Sequence, residues 1–110
     1  MAAFTEIVIE QNATFISKVY VEDIYNSPVN LSGYSPSAQM RKSYYSNIAY
    51  TIDTEVTGIA NGEITLSMTA ANTANLPIGR MVYDLIIDDG SGTVTRVVEG
   101  IATILPSVTR

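Results

Sequence analysis

Glu63-Ile64-Thr65-Leu66-Ser67-Met68-Thr69 sets the fold class, because apolar and polar residues alternate along it without a break. A β-strand sends successive side chains to opposite faces, so Ile64, Leu66 and Met68 share one face and the polar residues the other. The stretch before it follows the same rule, with Tyr50, Ile52, Thr54 and Val56 opposing Thr51, Asp53 and Glu55. Between the two lies Thr57-Gly58-Ile59-Ala60-Asn61-Gly62. An Asn-Gly pair adopts positive φ readily, which suits a hairpin turn. The pattern predicts two antiparallel strands joined there.

Working outward, Ile7 and Ile9 mark a first short strand. Phe15, Val19 and Val21 share a face of a second, with Lys18 and Tyr20 opposite. Asn26-Ser27-Pro28 supplies a turn before Val29-Asn30-Leu31, and Gly33 supplies another. Ala38 and Met40 alternate with Ser37, Gln39 and Arg41 in a third strand. Toward the C-terminus, residues 80–88 and 93–105 flank Asp89-Gly90-Ser91-Gly92, a second hairpin, and Gly100 inside the last strand reads as a β-bulge. About seven strands at such intervals make an all-β sandwich or small barrel. One segment departs from this: Ala70-Ala71-Asn72-Thr73-Ala74-Asn75-Leu76 has helix-like Ala spacing and stops at Pro77, which disfavours helical geometry at Leu76. A single short helical turn near residues 70–76, crossing between sheets, is expected.

The chain has 110 residues, of which 46% are apolar. That fits one domain, residues 1–110, with an ordinary hydrophobic core. No stretch has the ~18 uninterrupted apolar residues of a membrane helix. The start meets Glu6 before any basic or apolar leader, so synthesis in a cytoplasm is expected, and the last strand runs nearly to the end of the chain. Cysteine and histidine are both absent. Their absence removes Cys-based zinc sites, thiol nucleophiles, the commonest general base and every Ser-His or Cys-His pair, so no enzyme activity, cofactor or metal is expected. A net charge of −5, from 11 acidic and 6 basic side chains, disfavours a nucleic-acid backbone as partner.

Several sites compete with plain structural readings. Asp88-Asp89-Gly90-Ser91-Gly92-Thr93 followed by Glu99 has a faint calcium-loop rhythm. Such loops need oxygen side chains at the third and fifth positions and Gly at the sixth, where this chain has Gly90, Gly92 and Thr93. It reads as a polar hairpin tip. The carboxylates Glu6, Asp53, Glu55, Glu63 and Asp84 fall at outward strand positions, where solvated faces are expected rather than a catalytic pair. The sequons at Asn12 and Asn30 read as chance matches in a chain without a leader. Of seven tyrosines, Tyr44 and Tyr45 stand adjacent, and rings with polar tips suit wet interfaces. The competing reading puts one of these rings over the end of the core. If Met81, Tyr83, Leu85 and Ile87 face inward, Val82 and Ile86 remain on the opposite face of their strand, as a subunit contact or under one of the chain's own loops. Tyr44, Tyr45, Val82 and Ile86 are therefore the candidate interface residues.

Certain segments together resemble a family of short phage and prophage proteins akin to the N-terminal domain of phage baseplate upper proteins. They are Gln11-Asn12-Ala13-Thr14-Phe15, Pro28-Val29-Asn30-Leu31-Ser32-Gly33-Tyr34, Ala38-Gln39-Met40-Arg41, Gly62-Glu63-Ile64-Thr65-Leu66-Ser67-Met68, Leu76-Pro77-Ile78-Gly79-Arg80, Val82-Tyr83-Asp84-Leu85 and Asp89-Gly90-Ser91-Gly92-Thr93-Val94-Thr95-Arg96. The resemblance spans about Ile9 to Arg110 and lies in order and spacing more than in any one segment. It implies an immunoglobulin-like antiparallel sandwich serving as an attachment or packing module in a virion, with no catalytic residues. Family members often carry an aromatic where this chain has Met81, at a position like a tyrosine corner. Tyr83 is expected to take part of that role. Residues 43–49 depart from the family pattern.

The expected function is thus a bacteriophage virion structural protein on the tail or baseplate side, joining other virion proteins in several copies or as a homo-oligomer. Its sheet edges and Tyr-bearing loops would make the contacts. A capsid decoration protein is the close alternative. A host-surface carbohydrate-binding module is a further one, weakened by the absence of Trp.

Overall fold

The computed structural model describes residues 3–109. The strands are β1 (Ala3–Phe4), β2 (Ile7–Glu10), β3 (Phe15–Tyr20), β4 (Ser35–Arg41), β5 (Tyr50–Gly58), β6 (Glu63–Met68), β7 (Gly79–Asp88) and β8 (Val94–Leu105), with one helical turn, α1 (Ala70–Thr73), between β6 and β7. Strand order runs β1-β8-β7-β4-β5-β6-β3, with β2 also beside β8. β1 and β2 are two pieces of one edge strand, both parallel to β8. The remaining pairs are antiparallel. This is the immunoglobulin-like sandwich: β2, β8, β7 and β4 form one sheet, β3 and β6 the other, and β5 belongs to both.

Alternation becomes burial directly. Ile64, Leu66 and Met68 on β6, Met81, Tyr83, Leu85 and Ile87 on β7, and Val98, Ala102 and Ile104 on β8 all point into one core. Ile52, Met40, Ile9 and Leu31 complete it.

β5 changes sheets in mid-strand. Tyr50–Ile52 pair with Met40–Ala38 on β4, and from Asp53 onward the strand pairs with β6 instead. Continued, that register would set Ser37 opposite Asp53 and Pro36 opposite Thr54, and the Pro36 nitrogen has no hydrogen to leave unpaired. The Pro36 carbonyl is taken by the Thr54 hydroxyl at 3.1 Å, so this backbone group keeps a partner where the strands part. The predicted β5–β6 hairpin is present, and Gly62, at φ 67°, closes it. A Cβ there would lie 2.4 Å from the Val21 carbonyl oxygen.

The helical turn crosses from β6 to β7 as expected. Thr69 caps it, accepting from the Asn72 N–H at 3.2 Å. Thr73, fully buried, donates its hydroxyl to the Ala13 and Ala70 carbonyls.

Two expectations need correction. Gly100 is not a bulge: it pairs in register with Tyr83. Glycine is required there because a Cβ would lie 1.8 Å from the Thr5 carbonyl oxygen, where the chain passes from β1 to β2. The bulge falls three residues earlier, where Leu85 pairs with Val98 but Ile86 pairs with Arg96, leaving Val97 unmatched. Tyr83 does anchor the chain by its hydroxyl, but across the sheet: it donates to the Thr5 carbonyl at 2.7 Å. Burial pushes that hydroxyl up to about 12.

Candidate interaction surface

The bulge at Val97 determines the chemistry of the outer face of the β8-β7-β4 sheet. Without the extra residue, Arg96 would share the inward parity of Val98. With it, Arg96 lies beside Ile86 on the outer face. Asp84 and Glu99 sit directly opposite each other there, a like-charge pair that is unfavourable alone. Arg96 bridges them, with Nε 3.3 Å from Asp84 Oδ2 and Nη1 3.3 Å from Glu99 Oε2. Val82, Gln39 and Arg41 continue the face, and Tyr44 flanks it from the β4–β5 loop. Together these residues line a shallow cleft of about 230 Å³.

Tyr44 and Tyr45 are the two central residues of a turn closed by the Ser46 N–H on the Ser43 carbonyl at 3.1 Å. Arg41 Nη1 holds the same turn from below, donating to the Ser46 carbonyl at 2.6 Å. Neither ring covers the core: Tyr44 is 71% exposed and Tyr45 94%. The structure therefore brings Tyr44 and Val82 to one cleft. It places Ile86 on the same strand face and Tyr45 at the loop tip. Val82 and Ile86 are half-buried.

In the connection between β3 and β4 a second turn repeats the device, and the sequence reading missed it. The Asn26 N–H bonds the Asp23 carbonyl at 3.0 Å, and Asp23 Oδ1 accepts from Tyr25 and Ser27 N–H groups. Ile24 and Tyr25 occupy the centre, 87% and 80% exposed. The legible signal was Asp23-Ile24-Tyr25-Asn26, an Asx turn enclosing two apolar residues. Tyr34, Tyr50 and Tyr83, by contrast, pack on the core.

The acidic groups are engaged locally. Asp89 Oδ1 accepts from Ser91 N–H, Ser91 hydroxyl and Thr93 N–H, and these bonds, the Ser91 backbone first, hold its carboxyl below the usual range. Asp88 Oδ1 accepts from Gly90 N–H at 2.8 Å. Asp88 and Asp89 thus each direct one carboxylate oxygen to groups of the hairpin tip itself. Glu6, Asp53 and Glu55 are exposed as expected, whereas the Glu63 side chain is only 15% exposed. Hydrogen bonding from Thr57, then from Tyr20 at 3.2 Å, and Lys18 at 3.4 Å hold its carboxyl below the ordinary value against the opposing effect of burial. Among the described residues no three His, Cys, Asp or Glu side chains gather as a metal site, and no helix is long and apolar enough to cross a membrane.

No family model matches the sequence, and no curated protein matches it. Among solved structures, the chain is similar to a Lin-41 filamin domain at 19% identity and a TM-score of 0.42, covering 88% of this chain and 81% of that one. It is also similar to an internalin-like protein, lmo2027, of Listeria monocytogenes, at 14% identity and a TM-score of 0.46. That match covers 96% of this chain but only 28% of the internalin-like protein. The immunoglobulin-like assignment accordingly stands on strand order and register.

Proposed function

We propose that this chain is a non-catalytic structural module of a bacteriophage particle, on the tail or baseplate side, that works by protein–protein contact. The observation that carries the contact reading is the pair of turn tips in the connections before and after β4. Each presents two adjacent apolar or aromatic residues, Ile24-Tyr25 and Tyr44-Tyr45, that the core does not use. Folding gains little from such exposed rings, while interfaces draw on Tyr for large contact area at low entropic cost. The virion assignment rests on the resemblance in segment order and spacing.

Quantitative mass spectrometry of purified particles tests it. A few to a few dozen copies per particle supports the tail or baseplate reading. Hundreds of copies would move the module to the capsid surface as a decoration protein. Its absence from particles would overturn the proposal.

A further inference from the structure

We propose that the seam between β2 and β3 is a docking groove for an extended segment of another protein, one alternating apolar and basic residues, which pairs its backbone with β3. This goes beyond the virion reading and does not depend on it.

The backbone carries the first part. The Val21 N–H bonds the Gly62 carbonyl at 2.8 Å, one step past the Tyr20–Glu63 pair of the β3–β6 ladder. Antiparallel ladders alternate, so Phe15, Ser17 and Val19 direct their backbone groups to β6, and Ile16, Lys18 and Tyr20 direct theirs to the free edge. Across the seam, the Thr5 N–H bonds Glu99 and the Gln11 N–H bonds Leu105, both at 2.9 Å. The same parity turns the backbone groups of Glu6 and Val8 and the Glu10 N–H away from β8 and toward the seam, while the Glu10 carbonyl accepts from the Ala13 N–H at 3.4 Å. Two edges thus present unspent donors and acceptors to one gap.

The gap fits a strand of stated chemistry. It is a groove of about 480 Å³ whose walls include Ile7, Val8, Phe15 and Ile16, with Glu6 and Glu10 as its charged groups and no cation. Val8 and Ile16 are 54% and 65% exposed. One end is closed where Thr73 donates to the Ala13 carbonyl and Gln11 Nε2 to the Leu76 carbonyl at 2.7 Å. Apolar side chains on a guest strand match the walls, and basic ones between them match the carboxylates.

A second copy is the poorer occupant. Antiparallel pairing of two β3 edges through Ile16, Lys18 and Tyr20, in the register that sets Ile16 against Tyr20, places Lys18 opposite Lys18. Each copy also brings a net charge of −5 and the same acidic groove.

Titration calorimetry of the full chain against two short peptides with the same apolar residues, one interleaved with lysine and one with glutamate, tests the proposal. The lysine peptide is expected to bind at least about tenfold more tightly. Lys18→Pro removes one edge N–H without touching the β6 ladder, and should weaken binding about fivefold to tenfold, whereas Lys18→Ala should not. Should Lys18→Pro fail to fold, amide shifts of the unaltered chain decide: the lysine peptide must perturb Ile16, Lys18 and Tyr20. Equal affinity for both peptides, no binding of either, full affinity in folded Lys18→Pro, or perturbation centred on Tyr44 instead would overturn it. So would a concentration-dependent dimer in ultracentrifugation that Lys18→Pro abolishes, because a second copy would then fill the groove.

Discussion

Along one side of the sandwich β5 passes from β4 to β6 and joins the two sheets; along the other, β2 and β3 face each other with no strand joining them among the described residues. At the first seam the Pro36 carbonyl is met by the Thr54 hydroxyl, and the proline nitrogen brings no donor to leave unpaired. At the second, the outward backbone groups of Glu6 and Val8 on one edge and of Ile16, Lys18 and Tyr20 on the other have no strand beside them among the described residues. A single chain of this size can stitch one side of a sandwich by letting a strand change sheets. The N-terminal strand pairs with β8, and none of the described strands covers the outer edge of β3. The stitched side is where folding is secured, and the open side is where a partner finds unspent hydrogen bonds.

The contrast can be broken most forcefully at the stitched side. Ile52, 1% exposed, is the last β5 residue paired with β4 before the strand departs. Ile52→Ala is expected to cost about 3 to 4 kcal/mol in denaturant unfolding, by loss of transfer free energy and the cavity left behind. It should leave exchange of the β3 edge amides unchanged.

Gly100→Ala probes the open side. The added Cβ meets the Thr5 backbone, which must move, so about 3 kcal/mol of stability is expected to go. Faster exchange should follow at Thr5, Ile7 and Ile9 and not in β5. A neutral substitution would show that the β1–β2 link is not pinned to β8.

Tyr83→Phe is the milder version of the same test. Loss of the bond to Thr5 should cost about 1 kcal/mol. The folded hydroxyl titrates near 12 against a reference of 10, so the fold favours the protonated form. Its stabilisation is complete below pH 10 and is lost as the pH rises through 12. Melting temperatures of the unaltered protein should fall across that window more steeply than those of Tyr83→Phe; parallel curves would contradict the assignment.

Much of this architecture could be read from the residues. Both hairpins followed from alternation and Gly-bearing turns, and the helical turn from its Ala spacing and Pro77. Alternation, however, reports which face a residue takes and not which strand lies beside it. The pattern Tyr50 to Val56 therefore runs unbroken through the point where β5 changes partners. The bulge was assigned to Gly100 because glycine marks bulges, yet that glycine answers to Thr5, distant in sequence. The true bulge at Val97 carries no unusual residue type, and only the register reveals that Arg96 has joined the outer face. Of the candidate interface residues, Val82 and Ile86 lie on the strand face that alternation assigns them, whereas the turn that exposes Tyr44 and Tyr45 was not legible beforehand. The gathering of Tyr44 and Val82 at one cleft needed the fold, and Ile24-Tyr25 escaped notice because the turn was assigned one step later, to Asn26-Ser27-Pro28.

Residue-resolved amide hydrogen exchange tests the contrast between the seams most directly. In the isolated chain Ile16, Lys18 and Tyr20 should exchange quickly while Ser17 and Val19 between them stay protected, and the β5 amides facing β4 before Asp53 and β6 after it should be slow. Uniform protection along β3 would mean that its edge is already covered and that the seam is not open.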